Sequence, residues 1–177
     1  EVGGTDLRLG GALFMAGAAD TMQLMVGVLL ASITGYTLAA YHRGDALSLE
    51  AGMKFFLVGA LTNSLLLIGI VWLFGLSGST DYRQIAIAVA GTADTVPWLA
   101  AAALVVVGLA FKLGAVPAHT WMPDVAQGAP APSAAYLTVI PKIGAAIALA
   151  RLGGIFAAEL DSWRPLIAAL AVASMTL

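Results

Sequence analysis

The chain has 177 residues, 60% of them hydrophobic and 10% charged, with a mean hydropathy of +0.95 and a formal charge of −2. Soluble domains carry roughly a quarter charged residues, so this composition excludes a soluble globular protein and indicates an integral membrane protein. No basic cluster is present that could neutralise a phosphate backbone, which excludes nucleic acid as a partner.

There are no cysteines and two histidines. Thiolate metal centres, disulfides and Cys nucleophiles are thereby removed, and the imidazoles are too few for most metal cages. The chain opens without Met and without a charged segment leading to a cleavage site, so no signal peptide is expected. It reads as an internal piece of a longer membrane subunit.

A spanning helix needs about 20 mainly apolar residues. In chain order the expected helices are 9–18, 22–41, 49–76, 96–113, 131–156 and 164–177, one transmembrane domain in an all-α, polytopic fold. Leu9 to Ala18 is half a span. Asp20 is placed to cap the next helix, in which Gly27, Ala31, Ser32 and Gly35 recur at helical spacing and invite close packing by a neighbour. After the polar turn His42–Asp45, Ser48 is the expected N-cap of the third helix. Glu50 and Lys54 follow at the i, i+4 spacing that favours an ion pair. Asn63 and Ser64 suit hydrogen bonds to a neighbouring helix. Tyr82 to Ala93 is either an interfacial helix or the start of the next element. Asp161 to Arg164 is an expected turn, with Pro165 opening the last helix.

The stretch from Phe111 to Lys142, FKLGAVPAHTWMPDVAQGAPAPSAAYLTVIPK, departs from this pattern. It sets Lys112, His119, Asp124 and Lys142 between apolar runs, and Pro117, Pro123, Pro130 and Pro132 cannot all lie in one continuous helix. Broken backbone is tolerated in a membrane only where protein or water satisfies its freed groups, so a discontinuous, Pro-broken helix at a buried polar site is expected. Pro141 deprives the Leu137 carbonyl of its helical donor. A lysine in lipid costs about 2.5 to 3.5 kcal/mol. Lys54, Lys112 and Lys142 therefore either snorkel to water or exchange protons in a polar interior. His119 is either a proton carrier between them or a hydrogen-bonder at the membrane surface. Asp124 suits a turn cap and Trp121 an interface anchor. No phosphate-binding glycine loop or nucleophile motif is present.

These residues resemble the signature of the antiporter-like, proton-translocating membrane subunits of respiratory complex I. The form P-D-V-x-Q-G-A-P-x-P is most similar to the subunit-N branch, which includes the mitochondrial subunit 2 relatives. Ser48-Leu-Glu-Ala-Gly-Met-Lys-Phe-Phe-Leu-Val-Gly-Ala resembles the same branch. The resemblance implies a bundle of ten or more helices in the larger subunit, a multi-pass position in the bacterial inner membrane, and other complex I membrane subunits as partners. It implies no catalytic redox residue, metal or cofactor on this chain, with NADH, FMN, iron–sulfur clusters and quinone handled by other subunits. It further implies that Lys54, Lys112 and Lys142 form a buried lysine axis, with His119 in the P-x-H-x-W element. A cation/proton antiporter or membrane-bound hydrogenase subunit shares this layout, and a non-conducting structural subunit is a third reading. The family's G-x-E-L-x-S pattern places its glutamate at Leu29, so the acid expected to partner Lys54 is missing. Glu50 is the expected substitute, unless the proton pathway is weakened or lost.

Overall fold

The computed structural model describes residues 2–92, 95–156 and 163–176, with side chains from Leu9 onward. It contains α1 (Val2–Gly17), α2 (Thr21–Ala39), α3 (Ala46–Ser77), α4 (Tyr82–Ala90), α5 (Val96–Leu113), α6 (Met122–Gly128), α7 (Ala131–Phe156) and α8 (Trp163–Thr176). The described residues are helical apart from their connections. Of the turn expected at Asp161–Arg164, Asp161 and Ser162 lie outside them, whereas Trp163 and Arg164 already belong to α8, so Pro165 does not open that helix.

Helices α2, α3, α5 and α7 are long and apolar enough to cross a membrane. At 1.5 Å per residue the 32 residues of α3 extend about 48 Å, beyond the roughly 30 Å hydrocarbon thickness. Outward-facing Leu57, Leu61, Ile68 and Val71 are exposed. A soluble protein avoids such a surface, whereas lipid solvates it.

Short side chains determine how closely the helices pack. A Cβ at Gly27 would lie 2.7 Å from the Met15 amide nitrogen, and one at Gly108 would lie 2.5 Å from Leu66 Cβ. Both sites therefore place a backbone against a neighbouring helix, as small residues do in membrane bundles. Between α2 and α3, the Asn63 amide donates to Ser32 Oγ at 3.0 Å and to the Tyr36 hydroxyl at 3.4 Å, so Asn63 does bond a neighbouring helix. Ser64 instead donates to the Ala60 carbonyl of its own helix.

Caps fix the turns. Asp20 accepts from the Met22 and Gln23 amides at the start of α2, as its position in the sequence leads one to expect. The third helix departs from expectation: Asp45 is its N-cap, accepting from the Leu47 amide at 3.0 Å. Ser48 lies inside the helix and donates to the Ala39 carbonyl at 2.9 Å, tying α3 to the end of α2. Asp45 has the extended backbone that a cap requires, so the helix starts one turn earlier. At the far end, Thr21 N–H donates to the Thr80 carbonyl and Tyr82 N–H to the Ala19 carbonyl, which lashes the α1–α2 and α3–α4 turns together. Pro141 lies within α7, which runs on to Phe156.

Candidate functional site

Helix α5 ends at Leu113 because Gly114 takes the left-handed conformation, φ +69, and its amide caps the Ala110 and Phe111 carbonyls. The chain then leaves the helix until α6 begins at Met122. Pro123 falls in the first turn of α6, where its missing N–H costs nothing. The interruption puts Lys112 in the last turn of α5, beside a folded-back loop.

Lys112 is 3% exposed, and its Nζ has no hydrogen-bond partner among the described residues. It lies 5.2 Å from the centre of the Phe111 ring and 6.0 Å from that of Phe55, near enough for a cation–π attraction. These two rings join Trp121 in one aromatic group, with Phe55 and Trp121 centred 4.5 Å apart. Trp121 is 2% exposed. It is therefore a buried wall of the site rather than an interface anchor, because the loop turns its ring inward onto α3 and α5.

Lys142 is half-buried on α7, and its Nζ lies 3.3 Å from Met122 Sδ. Its stem also approaches the α5 cap: a Cβ at Gly114 would lie 3.6 Å from Lys142 Cε. Lys112 and Lys142 thus approach the same interruption from opposite helices. His119 lies in the loop, half-buried, and its Nδ1 is enclosed without a partner among the described residues.

The third lysine has the most polar company. Lys54 Nζ is 2.7 Å from Glu50 Oε1 and 2.7 Å from Asp124 Oδ1. The i, i+4 spacing predicts the first contact. The second joins residues 70 apart, and Asp124 spends its carboxylate on this ion pair rather than on the turn cap read from its sequence position. The signal for it is weak in sequence: an acid after a proline is normally a local cap. Phe55, next to Lys54 in the chain, presents its ring to Lys112, so an aromatic group separates the exposed lysine from the buried one.

Position 29 does not face this ion pair. Asn63 bonds Ser32, so Leu29 lies level with the part of α3 beyond Asn63. That is more than nine residues, or upwards of about 13 Å, along the helix from Lys54, and Leu29 is 38% exposed. An acid at Leu29 would not reach Lys54 directly.

Among the described residues no group of His, Asp and Glu is arranged to hold a metal ion. A wide groove of about 1160 Å³ between α2 and α3 is lined by Tyr36, Tyr41, Arg43, Met53 and Phe56 among others, and by none of the three lysines.

Residues 18–177 match the family described as NADH:quinone oxidoreductase/Mrp antiporter, transmembrane. The chain is 47% identical, over 94% of its length, to NADH-quinone oxidoreductase subunit N of Mycobacterium sp. (strain JLS), of which it covers 35%. It is 46% identical over 97% of its length to subunit N 1 of Streptomyces griseus, covering 36% of that protein. It thus spans about a third of the length of these curated relatives. Among solved structures, it superposes with a TM-score of 0.84 on a chain of the archaeal membrane-bound sulfane sulfur reductase. Identity there is 26%, with coverage of 92% of this chain and 33% of that one. A chain of respiratory complex I from Thermus thermophilus with bound aureothin gives a TM-score of 0.69 at 32% identity, covering 80% of this chain and 31% of that one.

Proposed function

Because the chain belongs to the NADH:quinone oxidoreductase/Mrp antiporter transmembrane family, we propose that it is part of a proton-translocating membrane subunit of an NADH:quinone oxidoreductase, the counterpart of subunit N. The observation that carries this reading is Lys112, a buried amine without a hydrogen-bond partner among the described residues, at a helix interruption inside the membrane domain. An amine so placed is costly. It is therefore a functional group, and its chemistry is the gain and loss of a proton.

Lys54 with Glu50 is the intake end of the path, Lys112 is its buried centre, and Lys142 receives from the other side of the interruption, with His119 in the loop between them. The residues of this chain carry no redox step. NADH, FMN, iron–sulfur clusters and quinone belong to other subunits of the complex, and the protein resides as a multi-pass component of the bacterial inner membrane beside the other membrane subunits. Coupling to electron transfer is then conformational and electrostatic.

Replacing Lys112 by Met in the assembled complex tests this. The expected result is a complex of normal subunit composition whose proton uptake into vesicles falls sharply on NADH addition. Unchanged uptake contradicts the reading and favours a non-conducting scaffold. The superposition on the sulfane sulfur reductase chain supports a second reading, a subunit of a related respiratory membrane complex. Co-purification with NADH-oxidising subunits separates the two.

A further inference from the structure

Asp124 lies on α6, the short helix that follows the interruption, and reaches across to Lys54 on α3. Glu50 holds the same ammonium from one turn earlier on α3. One ammonium thus joins carboxylates on two different helices. A small cavity of about 20 Å³ adjoins them, lined by Leu47, Glu50, Ala51, Asp124, Gln127 and Gly128. That volume is enough for one water molecule, and its lining supplies the polar partners a water needs. The side chains of Asp124 and Glu50 are 33% and 57% exposed, so neither is sealed inside the described residues.

The same first turn of α6 also contacts a different lysine. Met122, two residues before Asp124, places its Sδ 3.3 Å from Lys142 Nζ on α7. The first turn of this helix therefore links Lys54 to Lys142, one through an ion pair and the other through a thioether.

We infer that Asp124 is a proton-exchanging residue of the path and that α6 transmits its charge state from Lys54 to Lys142. This rests on the proton-translocating reading above. A hydronium ion in the cavity gives its proton to an Asp124 oxygen and becomes water, while the carboxylate becomes a neutral carboxyl group. Lys54 keeps its protons and is then held by Glu50 alone. The tie between α3 and α6 slackens, which frees Met122 to shift against Lys142. Return of the proton to the cavity water regenerates hydronium and the carboxylate, and restores the tie. The groups that face α6 in this cycle are Lys54 and Glu50 from α3 and Lys142 from α7, with His119 in the preceding loop and Tyr136 of α7 packed on the same core as Val125.

The test is NADH-driven proton uptake by the reconstituted complex, followed as a function of pH. Asp124→Asn is expected to lower uptake several-fold and to displace its pH profile, and Asp124→Glu to restore both. Wild-type uptake with an unmoved profile in Asp124→Asn overturns the inference. So does a uniform loss at every pH that simply follows lowered thermal stability, because that is the mark of a clasp. Should Asp124→Asn not assemble, Met122→Leu decides: it leaves Asp124 and Lys54 in place and removes the contact with Lys142, so lowered uptake in an assembled complex supports the inference and wild-type uptake overturns it. Lys112→Met is measured alongside. If that variant pumps normally, the proton-translocating reading fails, whereas normal pumping in Asp124→Asn alone removes only Asp124.

Discussion

The indole Nε1 of Trp121 donates to the carbonyl of Phe111 at 3.2 Å, ten residues back along the chain. This bond closes the loop after α5 and holds the aromatic wall against Lys112. Trp121→Phe keeps an aromatic ring but loses the donor and part of the packing, and is expected to cost about 1–2 kcal/mol. Thermal unfolding of the detergent-purified complex checks it, and proton uptake should fall with it because the wall of the Lys112 site loosens.

Gly108 makes a second prediction. A Cβ there would press on Leu66 Cβ at 2.5 Å and on the Thr62 carbonyl at 3.1 Å, so α3 and α5 would have to separate. Gly108→Ala is expected to destabilise by about 1–3 kcal/mol, the usual range for overpacking. Gly75→Ala, where nothing lies within 4 Å, is expected to be neutral or to stabilise by up to about 1 kcal/mol through helix propensity. Opposite signs for two identical substitutions in unfolding measurements would establish the contact as the cause.

The Asp20 cap gives a pH dependence. Burial works to raise its pKa, but hydrogen bonds from the Thr80 hydroxyl and the Met22 and Gln23 amides outweigh it and hold the carboxyl below its ordinary range. A depressed folded pKa means stability that is present in full above the unfolded value, about 3.9, and is lost as pH falls through the folded value. Acid titration of thermal stability should therefore show a low-pH loss that is smaller in Asp20→Asn, and Thr80→Ala should move that loss to higher pH.

Tyr82 supplies a prediction of the opposite kind. Its ring is 9% exposed, and its hydroxyl is buried with no partner among the described residues. Burial, and then the nearby Asp20 charge, push its pKa far above the ordinary value. An unsatisfied buried hydroxyl is a cost, so Tyr82→Phe is expected to leave the melting temperature unchanged or raise it. A loss of more than about 1 kcal/mol would mean that the hydroxyl has a partner in the assembled complex.

Sequence by itself determined the solvent. Apolar runs long enough to cross lipid, separated by capped turns, admit only membrane helices, because unsatisfied backbone groups are not tolerated there. Local rules also predict the Asp20 cap and the Glu50–Lys54 ion pair, since both depend on spacing within one segment. Tertiary structure alone decided which residues meet across segments. Asp124 is a local cap on sequence grounds, yet it pairs with Lys54, 70 residues away. Trp121 faces inward because the loop after Gly114 folds back on α3 and α5. Leu29 proves to be remote from Lys54 because the α2–α3 register is fixed by Asn63 and Ser32. Helical periodicity gives the face of a residue, but its partner depends on how far one helix slides along another, and small residues and single buried hydrogen bonds set that slide.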